Sequence, residues 1–207
     1  MAHPHWRALI QGSLHRHRTD PGARYVQLAT VDPSGYPRNR TVVFRGFLDN
    51  SDLLQFAVDS RSEKLAHIQA NPQAQVCWYF GKTREQFRIT GSLIPILDPQ
   101  MTQEMTQAGA EDQQHHHRDR NRLWSQMSER GRLLWYWPAP KGSQAEPSAY
   151  ITQLPAEAVD PPANFVLLLL DPVEVDHLQL KGDLTYPQLR QVFSRMGSQW
   201  QHRSVNP

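Results

Sequence analysis

Between residues 25 and 96, apolar side chains recur at every second position in one segment after another, and this period sets what the chain can fold into. A period of two marks a strand with one buried face. The connections are short and carry turn chemistry, so neighbouring strands run antiparallel; parallel neighbours would need crossovers of a dozen residues or more. Segments 25–31 and 40–47 are joined through Asp32-Pro33-Ser34-Gly35, and a second turn at Asp49-Asn50-Ser51-Asp52 leads into 53–58. Strands 74–80 and 85–96 follow, joined by Gly81-Lys82-Thr83-Arg84. One helix interrupts the series. Leu65 and Ile68 keep helical spacing after Ser60-Arg61-Ser62-Glu63, which has the form of a capping box, and Asn71-Pro72 stops it. Ahead of the strands, Trp6, Leu9, Ile10 and Leu14 place an amphipathic helix in 4–18. The pattern is α+β, mainly β, or a barrel, and not a series of βαβ units.

Beyond residue 99 the chain changes character. Residues 99–132 are polar, with helices expected near 100–107 and 118–128, and 138–162 is an extended connection rich in proline and small residues. Strand signals return at 164–170 and 173–180, interrupted by Asp171-Pro172, and a short tail follows. No repeat or linker divides the 207 residues, so the expectation is a single domain with its core at about 20–97 and its C-terminal strands at about 164–207. A formal net charge of +2 gives no argument for nucleic acid or an anionic membrane, so any bound anion must be held by a local cluster. The one cysteine, Cys77, excludes an intrachain disulfide and reads as a small core hydrophobe in its strand. The N-terminus lacks the apolar core of a signal peptide, and the longest apolar run, 165–170, is too short to span a bilayer. These features predict a soluble, cytoplasmic protein.

Three segments carry candidate chemistry. Arg40-Thr41-Val42-Val43-Phe44-Arg45 is a strand with a cation at each end, and alternation puts Arg40 and Arg45 on opposite faces unless the strand twists or ends between them. Asp59-Ser60-Arg61-Ser62-Glu63-Lys64 crowds hydroxyls and cations at a helix start, a setting suited to phosphate. Glu85-Gln86-Phe87-Arg88-Ile89 is a strand that offers an amide flanked by charge. Taken one at a time, each segment is more simply a helix cap or a solvated face.

The order and spacing of these segments resemble the FMN-binding core of the pyridoxamine 5'-phosphate oxidase family. The matching positions are Arg40, Val42, Val43 and Arg45; then Ser62 and Lys64; then Gln86, with Asn71-Pro72 and Gly91 also in place. The resemblance covers about residues 20–97 and returns near the end, at Arg190 and Val205-Asn206-Pro207. It implies a six-stranded antiparallel split β-barrel with peripheral helices, and a homodimer with two FMN sites at its interface. By the same resemblance, Arg40, Ser62 and Lys64, with Arg61, would hold the flavin phosphate. The backbone of Val42 and Val43 would lie beside the isoalloxazine ring, Gln86 would bond its polar edge or the ribityl chain, and Arg190 would contact the flavin.

The substrate side departs from the family. The loop Trp135 to Ser143 offers Lys141 and Ser143 but no arginine, the family's tryptophan is replaced by Leu178 or His177, and Tyr186 stands for its substrate arginine. The implied activity is therefore that of an FMN-dependent oxidoreductase acting on a small molecule. The alternatives are a flavin- or B6-vitamer-binding protein without turnover, and an NAD(P)H-dependent flavin reductase. Elsewhere, His115-His116-His117 reads as a solvated loop rather than a metal site, 118–122 as a charged helix, and Leu133 to Trp137 as a core stripe.

Overall fold

The computed structural model describes residues 3–103, 110–156, 158–182 and 188–207. Six antiparallel strands close on themselves: β1 (Tyr25–Val31), β2 (Pro37–Phe47), β3 (Leu54–Asp59), β4 (Gln73–Phe80), β5 (Glu85–Ile96) and β6 (Phe165–Gln179). The sheet runs β3-β2-β1-β4-β5-β6, and β6 pairs back onto β3 from Leu54↔Leu170 to Asp59↔Phe165, which closes the barrel. Two further strands, β7 (Leu189–Met196) and β8 (Gln199–Val205), extend the sheet beyond β6.

Alternation fills the barrel. Val26 and Leu28, Val42 and Phe44, Val76 and Trp78, and Phe87 and Ile89 all point inward into one core. The helices α1 (His5–Arg16) and α2 (Lys64–Ala70) add Trp6, Ile10, Leu65 and Ile68 to it. A second core forms where α3 (Ala110–Gln126) and the Trp135 segment cover the outside of β6. Consequently β6 is apolar on both faces over residues 165–170: Val166, Leu168 and Leu170 enter the barrel, while Phe165, Leu167 and Leu169 enter the second core.

Five expectations need correction. Asp171-Pro172 does not end a strand. β6 continues through it by a bulge in which Gly91 pairs with Pro172 and Thr90 with Glu174, which leaves Val173 as the extra residue. The approach there is so close that a Cβ on Gly91 would lie 2.1 Å from the Asp171 carbonyl oxygen. The tail folds into the β7–β8 hairpin, whose weakly alternating sequence hides it. The capping box does not form: α2 begins at Lys64, and Glu63 makes no side-chain cap. Cys77 is half-buried on the outer face of β4, because its neighbours Val76 and Trp78 take the inward positions. The three adjacent histidines lie within α3 rather than in a loop. No helix among the described residues is long and apolar enough to cross a membrane.

Candidate flavin site

At one rim of the barrel, Arg40 turns inward and its Nη1 donates to Leu28 O (3.2 Å), Arg38 O (3.1 Å) and Thr30 Oγ1 (2.6 Å). A guanidinium only donates, so the Thr30 hydroxyl accepts from Arg40, and it shares a further hydrogen bond with His67 Nδ1, 3.1 Å away. This chain of contacts ties β2 to α2, the helix that carries Lys64. Sequence reasoning missed Thr30 and His67, because nothing in a buried threonine and a helix histidine marks them as partners.

Lys64 Nζ donates to Ser62 Oγ (2.6 Å), and that hydroxyl donates to Asp59 O (2.6 Å). Burial lowers the pKa of Lys64 below its usual 10.5, and the neighbouring charge of Arg40 lowers it further. Burial likewise depresses Arg40. Among the described residues, neither cation forms an ion pair. Glu63 acts on Arg40, and Asp59 and Glu63 on Lys64, only through space and less strongly than burial, so two partly desolvated like charges beside a hydroxyl suit a phosphate dianion in contact with them.

Arg61 is spent elsewhere. Its guanidinium binds Asp59 (2.6 Å) and the carbonyls of Trp137 (3.0 Å) and Trp135 (3.4 Å). Asn164 Nδ2 bridges the same Asp59 and Trp135 O. Together these bonds staple residues 135–137 to the end of β3, and Lys141, in the same segment, is ion-paired with Glu63. Arg45 occupies a different neighbourhood. It is the extra residue where the β2–β3 register shifts between Phe44 and Gly46, and it lies beside Arg24 and Tyr25. Gly46 allows this bulge by adopting φ +133°, which favours glycine. Burial lowers the Arg45 pKa, and its buried Nε has no hydrogen-bond partner among the described residues. Val42 faces the core, and Val43 faces out opposite Tyr25.

The outer face of β5, β6 and β7 carries a second group of candidates. In register across the strands, Tyr79, Gln86, Leu178 and Arg190 form one row, and Cys77, Arg88, Asp176 and Val192 form the next. Leu178 thus joins the Gln86 face, whereas His177 points inward and stacks on Phe87 with ring centroids 4.4 Å apart. Tyr186 lies outside the described residues. Asp176 is 7% exposed and holds two guanidiniums, Arg190 through Nε (3.0 Å) and Nη2 (2.7 Å), and Arg88 through Nη2. Burial alone would raise its pKa, but the hydrogen bonds from Arg190 and Arg88 outweigh burial and hold it below 3.8.

A family model described as "Pyridoxamine 5'-phosphate oxidase, FMN-binding domain" matches residues 3–96. The pyridoxine/pyridoxamine 5'-phosphate oxidase 2 of Arabidopsis thaliana is 36% identical over 208 residues, covering 98% of this chain and 96% of that protein. The chain belongs to the pyridoxamine 5'-phosphate oxidase family. A solved member, a pyridoxamine 5'-phosphate oxidase-related, FMN binding protein from Nostoc punctiforme, is 41% identical, with a TM-score of 0.88 over 100% of both chains. PhzG of Burkholderia lata is 18% identical and shares the fold, with a TM-score of 0.73 over 100% of this chain and 98% of its own. The barrel is therefore the split barrel of an FMN-binding family, and Arg40 and Lys64, partly buried and without an ion pair among the described residues, fit a phosphate such as that of FMN.

Proposed function

We propose that this family member is an FMN-dependent oxidoreductase acting on a small molecule, and that it works as a cytoplasmic homodimer. The observation that carries the reading is the pair Arg40 and Lys64, partly buried, without an ion pair among the described residues, and with Lys64 bonded to the Ser62 hydroxyl. Arg40, Ser62 and Lys64 hold the phosphate. Gln86 and Arg190, on the outer face, meet the isoalloxazine edge. FMN supplies the redox chemistry when bound, while the chain binds it, orients it and sets its electrostatic surroundings.

The dimer reading is supported by the placement of these groups, with the Arg40 cluster turned into the barrel and Gln86 on the outer sheet face. Tyr25 and Tyr79, each 52% exposed, offer a second copy aromatic area on the outer sheet face. The dimer reading requires light scattering to give twice the chain mass.

A second reading, flavin or B6-vitamer binding without turnover, draws support from one contact. Lys141, a cation available on the substrate loop, is engaged by Glu63. The deciding experiment is an absorbance spectrum after loading with FMN and desalting, followed by anaerobic addition of pyridoxamine 5'-phosphate, pyridoxine 5'-phosphate or NADPH. A retained flavin band bleached by a phosphorylated vitamer supports the oxidase, and bleaching only by NADPH supports a reductase. A band that no donor bleaches supports the binding protein, and no retained band removes the flavin site.

A further inference from the structure

Sequence separation hides the Asp176 cluster: Arg88 and Arg190 lie on different strands, and register alone brings them to the carboxylate between them. Asp176 is buried while both arginines are partly exposed on the face that carries Gln86. Arg190 spends Nε and one Nη2 hydrogen on Asp176, which leaves its Nη1 hydrogens free of that carboxylate. Arg88 gives only Nη2 to it. Two guanidiniums against one carboxylate leave a single net positive charge, locked in orientation by a bidentate contact.

We infer that Asp176 is a positioning residue that aims Arg190 at the flavin and, by cancelling one of two guanidinium charges, sets how strongly this face favours the reduced cofactor. The inference rests on the reading that the flavin ring lies against the Gln86 face. Its logic is electrostatic. Two-electron reduction with uptake of one proton adds negative charge to the isoalloxazine, so a fixed positive charge nearby binds the reduced form more tightly than the oxidised one. Removing the carboxylate doubles the net positive charge, whereas removing Arg190 cancels it. The two substitutions therefore move the flavin in opposite directions, which a purely structural role for Asp176 does not produce.

The test measures the FMN dissociation constant and midpoint potential of the loaded protein for wild type, Asp176→Asn, Asp176→Glu and Arg190→Ala. In Asp176→Asn the preference for reduced over oxidised FMN rises about tenfold, seen as a potential about 30 mV higher for a two-electron couple. In Arg190→Ala the potential falls, and Asp176→Glu, which keeps the charge, stays closest to wild type. An unchanged or lower potential in Asp176→Asn, with Arg190→Ala still shifting it, overturns the inference and leaves the flavin reading in place. If neither Arg190→Ala nor Gln86→Ala changes FMN affinity or potential, the ring does not lie on this face and the underlying reading fails. Should Asp176→Asn not fold, the comparison of Asp176→Glu with Arg190→Ala decides: a potential in Asp176→Glu displaced as far as in Arg190→Ala counts against the inference.

Discussion

Arg40 and Lys64 are proposed to hold the flavin phosphate because of how little surrounds their charges. Each cation is partly stripped of water and lies near another cation, and the pull of Glu63 on Arg40, and of Asp59 and Glu63 on Lys64, is too weak to offset burial and forms no ion pair among the described residues. Arg40→Ala or Lys64→Ala should each weaken FMN binding by ~1.5–3 kcal/mol, the range for a hydrogen bond to a charged group. Titration of flavin fluorescence measures this, and wild-type affinity in both variants would take the phosphate away from the rim. These candidates were legible in the sequence through the order of a cation-bearing strand and a helix start rich in hydroxyls and cations, since each segment alone reads as a cap or a solvated face. Asp176 was not, since a carboxylate in an apolar strand reads as an ordinary outward-facing polar residue until the register shows it between two arginines. Arg61 looked like its neighbours in sequence, yet its guanidinium is already satisfied.

At the scale of elements, Arg61 has become a fastener. Arg61→Ala should release residues 135–143 from the end of β3 while changing FMN affinity no more than about twofold, a shift of ~0.4 kcal/mol. Limited proteolysis of that segment should accelerate, and a loss of flavin binding equal to that of Lys64→Ala would instead make Arg61 a phosphate ligand. The β5–β6 crossing gives a second expectation. Gly91→Ala must push backbone against backbone, so it should cost at least ~1–3 kcal/mol, the overpacking range, in a urea melt. An undiminished midpoint would mean that the bulge relaxes freely. The strands of the first hundred residues were readable because each buries one face and leaves the other wet, so the period shows. β6 broke that rule twice, with a run buried on both faces and a proline tolerated at a bulge. The β7–β8 hairpin hid because its outer face interleaves arginines with apolar residues.

For the whole molecule, two buried carboxylates tie distant parts together. Glu85 accepts from Ser13 (2.8 Å) and Arg16 (2.8 Å) of α1, and Asp176 joins β5 to β7. For both, burial opposes the charged form but the hydrogen bonds prevail, so the folded pKa lies below the ordinary 4.5 of Glu85 and 3.8 of Asp176. A depressed carboxylate stabilises the fold fully above its unfolded pKa, and that stability drains away as pH falls through the folded value. Thermal midpoints should therefore be insensitive to these groups from neutral pH down to about 5 and fall steeply below about 4, within the window set by unfolded carboxylates. A flat profile through that range would show that neither group is held as described. The strand that closes the barrel, β6, is also nearly the last to be made. A ribosome must release residues 165–170 before the edges of β3 and β5 can be covered, so between the emergence of β5 and that of β6 each nascent chain carries two open sheet edges. Chains cut short in that interval keep both edges free to pair with another chain.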